Sequence, residues 1–142
     1  MKKYIILICI AVIAICSIVY LRYQTMIKNN MINYKNIDYI GLKDKEISAT
    51  ELGTIINKTI NKNVENNVEK DENGLFIDNG NNSIIIEVKF LLGEESTYRA
   101  ELIEKRDIKN FLVAYTGVNF KCTKLEYHES THLVKYLLFE EQ

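Results

Sequence analysis

Proline and tryptophan are absent from this 142-residue chain, histidine occurs twice and cysteine three times. Two imidazoles cannot make a three-histidine metal centre, so any such site would need an Asp, a Glu or Cys122 as a third ligand. Cys9 and Cys16 fall inside an apolar run, which leaves Cys122 alone in the rest of the chain and excludes a disulfide there. The missing proline and tryptophan accompany abundant Ile, Asn and Lys, a bias that reads as AT-rich coding in a bacterium rather than as chemistry. No acidic residue precedes Asp38, and beyond position 22 acidic residues outnumber basic ones by 19 to 15. Lys and Arg form no stripe, so nucleic acid is not expected as a partner, because phosphate binding needs clustered positive charge. Phosphate loops, CxxC pairs and familiar nucleophile motifs are also missing.

What is present begins with an uncharged run from Tyr4 to Leu21. As a helix it spans about 27 Å, close to the thickness of a bilayer's hydrocarbon core. Tyr4, Tyr20 and Tyr23 stand at its two ends, and Lys2, Lys3 and Arg22 close it off, as expected of a membrane segment. A cleaved signal peptide fits less well, because the run exceeds the usual signal core and no small-x-small site follows it. Ile15 also stands where lipoprotein processing before Cys16 would want a small residue. Residues 1–22 are therefore read as an anchor that meets the lipid bilayer through residues 4–21. Arg22, Lys28 and Lys35 nearly balance Lys2 and Lys3, but a two-lysine start directly before the apolar run favours a cytoplasmic N-terminus and an exported C-terminal domain.

Residues 23–46 mix Asn and Lys with scattered Ile, Met and Tyr and read as a stalk, with a short strand at 38–42. Residues 47–142 then form a small α+β domain. Ser48 to Glu51 make a capping box, and Leu52, Ile55, Ile56, Thr59 and Ile60 place one apolar stripe on a helix ending near Asn63. Leu75 to Asp78 and Ser83 to Leu92 read as a hairpin about Asn79-Gly80. In residues 97–116 Tyr98, Ala100 and Leu102 alternate as in a strand, but Glu95 with Arg99 and Glu101 with Lys105 are i, i+4 pairs, Ile108, Phe111, Leu112 and Tyr115 recur at helical spacing and Gly117 ends the segment, so it is read as a helix. Asn119 to Tyr127 and Leu133 to Glu140 read as two further strands. The expected order is α-β-β-α-β-β, an antiparallel four-stranded sheet with two helices on one face.

This order behind a single N-terminal anchor resembles the ferredoxin-like periplasmic domains of bacterial pilus and type II secretion assembly proteins. It also resembles the ring-building domains of sporulation channel proteins. The resemblance implies a scaffolding role in the cell envelope.

One motif points to chemistry. His128, Glu129, Ser130, Thr131 and His132 spell H-E-x-x-H, the zincin signature, in which two histidines on one helix face ligate zinc and the glutamate serves as general base. The continuation is missing, since Lys135 stands where the extended motif has glycine and only ten residues follow His132. The flanking residues favour strands, so 128–132 is expected to be a hairpin turn with its histidines in solvent. Asp71 to Gly74 resembles the start of a calcium loop, but Phe76 occupies the obligatory glycine position, so a turn is expected. Asn57-Lys58-Thr59 is a sequon only by letter, inside the first domain helix. Cys122 reads as a small buried hydrophobe. Catalytic apparatus is not legible, and no cofactor is implied. The leading expectation is a protein-interaction or envelope-assembly scaffold that binds a protein partner or itself, and the alternative is a small membrane-bound zinc metalloprotease.

Overall fold

The structure, a computed structural model, describes residues 2–91 and 96–142. Its elements run α1 (Lys2–Asn36), β1 (Glu46–Ser48), α2 (Ala49–Glu65), β2 (Ile85–Phe90), β3 (Ser96–Arg99), α3 (Ala100–Lys105), α4 (Ile108–Ala114), β4 (Asn119–Tyr127) and β5 (Val134–Glu141). The chain divides into two compact units, one ending at Lys35 and the other comprising Asn36–Gln142.

In the first unit the apolar run is helical and long enough to cross a membrane. Its residues from Tyr4 to Leu21 are exposed and carry no charge. Ser17, the serine inside this run, donates its hydroxyl to the Ile13 carbonyl at 2.8 Å.

The second unit is α+β, with a five-stranded mixed sheet in the order β1-β4-β5-β2-β3. This corrects the expected four antiparallel strands: β2 and β5 run parallel, with Ile86 opposite Leu137 and Val88 opposite Phe139. The expected hairpin about Asn79-Gly80 does not form. A two-residue turn of that kind needs positive φ at both positions, and only Gly80, at 72°, adopts it. Asn79 instead uses its side-chain oxygen to accept from the amides of Asn81, Asn82 and Ser83 at 3.0 to 3.1 Å, which builds a capped loop. Leu75 to Asp78 is accordingly no sheet strand, and β2 finds its neighbours in β3 and β5.

Two further expectations shift. Residues 38–41 form turns, and the short strand lies at Glu46–Ser48, paired with β4. Residues 97–116 split into β3 and the helices α3 and α4. Tyr98 pairs opposite Val88, and the chain turns at Asp107 with φ of 73°, which no continuous helix accommodates. Of the i, i+4 pairs, Glu101 with Lys105 lies in α3, whereas Glu95 is outside the described residues, as is Leu92 at the expected end of the second strand.

Other local readings match. The Ser48 hydroxyl accepts from the Glu51 amide while Glu51 accepts from the Ser48 amide, a reciprocal capping box. From α2, Leu52 and Ile56 are buried, with Ile103 of α3 and Phe111 of α4, against Ile86, Val88, Phe120, Leu137 and Phe139 of the sheet. Those strand residues share one face, so the helices cover that face alone. Tyr39 and Leu42, in the stretch read as stalk, also belong to this core. Tyr39 hydrogen-bonds Thr59 at 2.9 Å, and burial pushes its phenol up to about 12.

Candidate functional site

The strands flanking H-E-x-x-H lie where expected, and residues 128–133 are the turn between them. The His128 amide donates to the Leu133 carbonyl at 2.8 Å and the His132 amide to the His128 carbonyl at 2.9 Å, closing the turn with His132 at φ of 58°. This is not the helix on which zincin histidines share a face. Glu129 and His132 are exposed, as a loop tip predicts. His128 is not: it is 2% accessible, which corrects the expectation that both histidines are solvated.

Its interior position follows from the loop before β2. His128 Nε2 lies 2.8 Å from the Ser83 carbonyl, and because a carbonyl only accepts, Nε2 carries the proton and donates. Nδ1 faces Asp78 Oδ1 at 3.9 Å. Asp78 in turn accepts from the Gly80 amide at 2.9 Å and the Ser83 hydroxyl at 3.1 Å, and its other oxygen meets Lys135 Nζ at 2.8 Å. These contacts, led by Lys135, hold its carboxyl down at about 2. Ser130 and Thr131 complete the clasp by donating to the carbonyls of Gly80 and Asn81 at 3.0 and 2.6 Å.

Ser83, His128 and Asp78 are the residue types of a nucleophilic triad, but their bonds are differently arranged. The Ser83 hydroxyl donates to Asp78 rather than to the imidazole, and Ser83 is fully buried. An activated serine needs its hydroxyl on the imidazole and open to substrate. The arrangement fastens a loop. Among the described residues, no group of three His, Cys, Asp or Glu gathers at metal-binding distance.

The other sequence candidates resolve simply. Asp71 accepts from the amides of Asn73 and Leu75 at 2.9 Å, with Gly74 at φ of 83°, and forms the expected turn. Cys122 is fully buried, and burial pushes its thiol up to about 11, the opposite of an activated nucleophile.

A second site was not legible in the sequence. Between β2 and β3 on one side and α3 and α4 on the other lies a cleft of about 300 Å³. Phe90, Tyr98, Leu102, Phe111 and Tyr115 line it. The Phe90 and Tyr115 rings are 4.8 Å apart and those of Phe111 and Tyr115 are 5.2 Å apart, while Phe90 meets Phe120 edge-on at 6.0 Å. Arg106, also on the lining, holds its exposed guanidinium 5.5 Å from the centre of the Tyr98 ring. Asp107 caps α4 by accepting from the Lys109 amide at 3.0 Å, and its left-handed backbone swings the chain so that Arg106 and Asn110 both border the cleft. Reading 97–116 as one helix hid this site. The signal available was the alternation of Tyr98, Ala100 and Leu102, since a strand there brings Tyr98 beside Phe90.

Comparison of the chain with protein-family models, with curated proteins and with solved structures returned no match.

Proposed function

We propose that this chain is a membrane-anchored scaffold whose domain, outside the cytoplasm, binds a protein partner through the cleft between β3 and the α3–α4 pair. The observation that carries this reading is the cleft itself. Four aromatic rings and an exposed guanidinium without a carboxylate partner among the described residues converge there. Tyrosine and arginine are enriched among the residues that dominate binding energy at protein interfaces, and phenylalanine is enriched in interface composition. The apolar helix supplies the tether, and the Lys2 and Lys3 pair directly before it supports an exported domain.

A photo-crosslinking amino acid placed at Ala114, which borders the cleft, is expected to trap a partner in native membranes, either another protein or a second copy. The same probe at the exposed Ser130 serves as the comparison. Adducts from neither position, or equal adducts from both, would count against the reading. Export is tested separately by a Ser130→Cys variant, which an impermeant maleimide should label in intact cells. Labelling seen only after lysis would place the domain in the cytoplasm.

A further inference from the structure

The cleft also specifies what it accepts. We propose that it takes an aromatic side chain from an extended segment of the partner, with a carboxylate two residues away on the same face of that segment seated on the Arg106 guanidinium. This rests on reading the domain as a protein-interaction module, and it names what the partner must present.

Size sets the first limit. A volume of about 300 Å³ lies at the lower bound of ligand pockets, enough for one large side chain and too small for a nucleotide or a large cofactor. The walls set the second, because Phe90, Tyr98, Phe111 and Tyr115 already pack in tilted and edge-on pairs, and an incoming ring would extend that array.

Charge sets the third. The face of Tyr98 steadies the planar guanidinium of Arg106, while the outer N–H groups of its fork remain available to a carboxylate in two-pronged geometry. Arg106 makes no ion pair with any described residue, and Asp107 beside it is engaged in capping α4. Among the described residues that line the cleft the charged ones are Arg106 and Asp107, and Glu141 acts on Tyr115, so the anion site is the Arg106 fork itself rather than a basic rim.

The form of the ligand follows from β3. This edge strand contributes Ser96 and Tyr98 to the cleft and, among the described strands, pairs with β2 alone. An extended peptide can add its backbone to an edge strand and direct alternate side chains into an adjoining pocket, which a free aromatic acid cannot do.

The test uses the full-length chain in lipid nanodiscs and a labelled peptide of alternating Thr and Val with a central Phe-Thr-Glu triplet, which places the ring and the carboxylate on one face of the extended peptide, followed by fluorescence anisotropy. Saturable binding is expected. Replacing the peptide's Phe by Ala, or its Glu by Gln, should weaken binding about tenfold, as should Arg106→Gln. Arg106→Gln and the peptide's Gln variant should weaken binding no further together than singly, because they remove the same contact. Ala114→Trp should obstruct the cleft and abolish binding, with circular dichroism confirming that both protein variants fold. No binding, or binding indifferent to Arg106→Gln and Ala114→Trp, would overturn the assignment, as would equal affinity for phenylpropionate. If the peptide fails but the Ala114 crosslink still captures a partner, the interaction module stands and only the stated occupant falls. If the peptide binds as described and displaces the crosslinked partner, both stand.

Discussion

The imidazole of His128 and the main-chain carbonyl of Ser83, 45 residues apart in sequence, are joined by a 2.8 Å hydrogen bond in the protein interior. The bond joins the turn between β4 and β5 to the loop that delivers the chain into β2. Those are the two places from which the parallel pair β2 and β5 is entered, so the bond helps hold the pairing at its start. The most chemically suggestive residue in the sequence is thus tied up in the fold.

The two histidines should behave differently when replaced. His128→Ala leaves a buried carbonyl without its donor and opens a cavity, and should cost about 2 to 4 kcal/mol in urea denaturation. His132→Asn keeps a residue tolerant of left-handed backbone at an exposed position, and should change stability by no more than about 0.5 kcal/mol. A zinc-dependent rise in melting temperature, lost equally in both variants, would contradict this structural assignment and restore the metal site.

The Asp78–Lys135 pair gives a pH signature. Asp78 has a folded-state value of about 2 against an ordinary 3.8, so the pair stabilises the fold above about pH 4 and loses that contribution as the pH falls toward 2. Lys135→Ala removes the leading cause of the depression. The stability gap between the wild-type chain and this variant should therefore be widest near pH 7 and close by about pH 2, as read by denaturant midpoints at a series of pH values. A gap that persists unchanged at pH 2 would assign the Lys135 effect to its aliphatic stem.

Much of the fold was legible where one local rule acted alone. Ser48 and Glu51 marked the start of α2 because both capping partners lie within one turn, and the strand-favouring residues on either side of the His128–His132 turn marked β4 and β5. The failures came where side chains overrode the local signal. Asn79-Gly80 has the composition of a hairpin turn, but the Asn79 side chain collects three amides that a hairpin would have left to the ladder. The parallel pairing of β2 with β5 depends on contacts between residues such as Val88 and Phe139, and no spacing in the sequence announces it. At the candidate sites, the five-residue motif was visible but not the partners that bury His128. The aromatic cleft could not be read until Ser96–Arg99 was known to be a strand.

Gly53 tests how closely α2 and α4 approach. A Cβ built there would stand 3.1 Å from Leu112 Cδ2, the flexible end of a side chain. Gly53→Ala should therefore be nearly neutral, with the helix-propensity gain of about 1 kcal/mol set against a small repacking of Leu112. Gly53→Val adds bulk at the same contact and should destabilise by about 1 to 3 kcal/mol in thermal or urea unfolding. Equal stability for both variants would mean that the helices separate more readily than their packing implies.

Asn63 is the strongest test of a buried polar group in this fold. It is 1% accessible, and its amide serves Ile84 as a neighbouring strand would: Nδ2 donates to the Ile84 carbonyl at 2.7 Å, and Oδ1 accepts from the Ile84 amide at 2.9 Å. Ile84 directly precedes β2, so the side chain extends the pairing of that strand by one residue. Asn63→Leu keeps the volume but strands both backbone groups of Ile84 away from water, and should cost about 4 kcal/mol. Asn63→Asp separates the two bonds. As a carboxylate it still accepts from the Ile84 amide but opposes the Ile84 carbonyl, whereas once protonated it can donate to that carbonyl and restore the pair. Burial and the facing carbonyl both favour the protonated form, so the folded-state value of the introduced acid should lie above its unfolded value. The variant should then be most stable below its unfolded value and lose stability as the pH rises through the folded one, opposite in sign to the Asp78 effect. Urea midpoints for Asn63→Asp that do not fall, relative to the wild-type chain, between pH 4 and pH 7 would show that Ile84 does not depend on the paired contact.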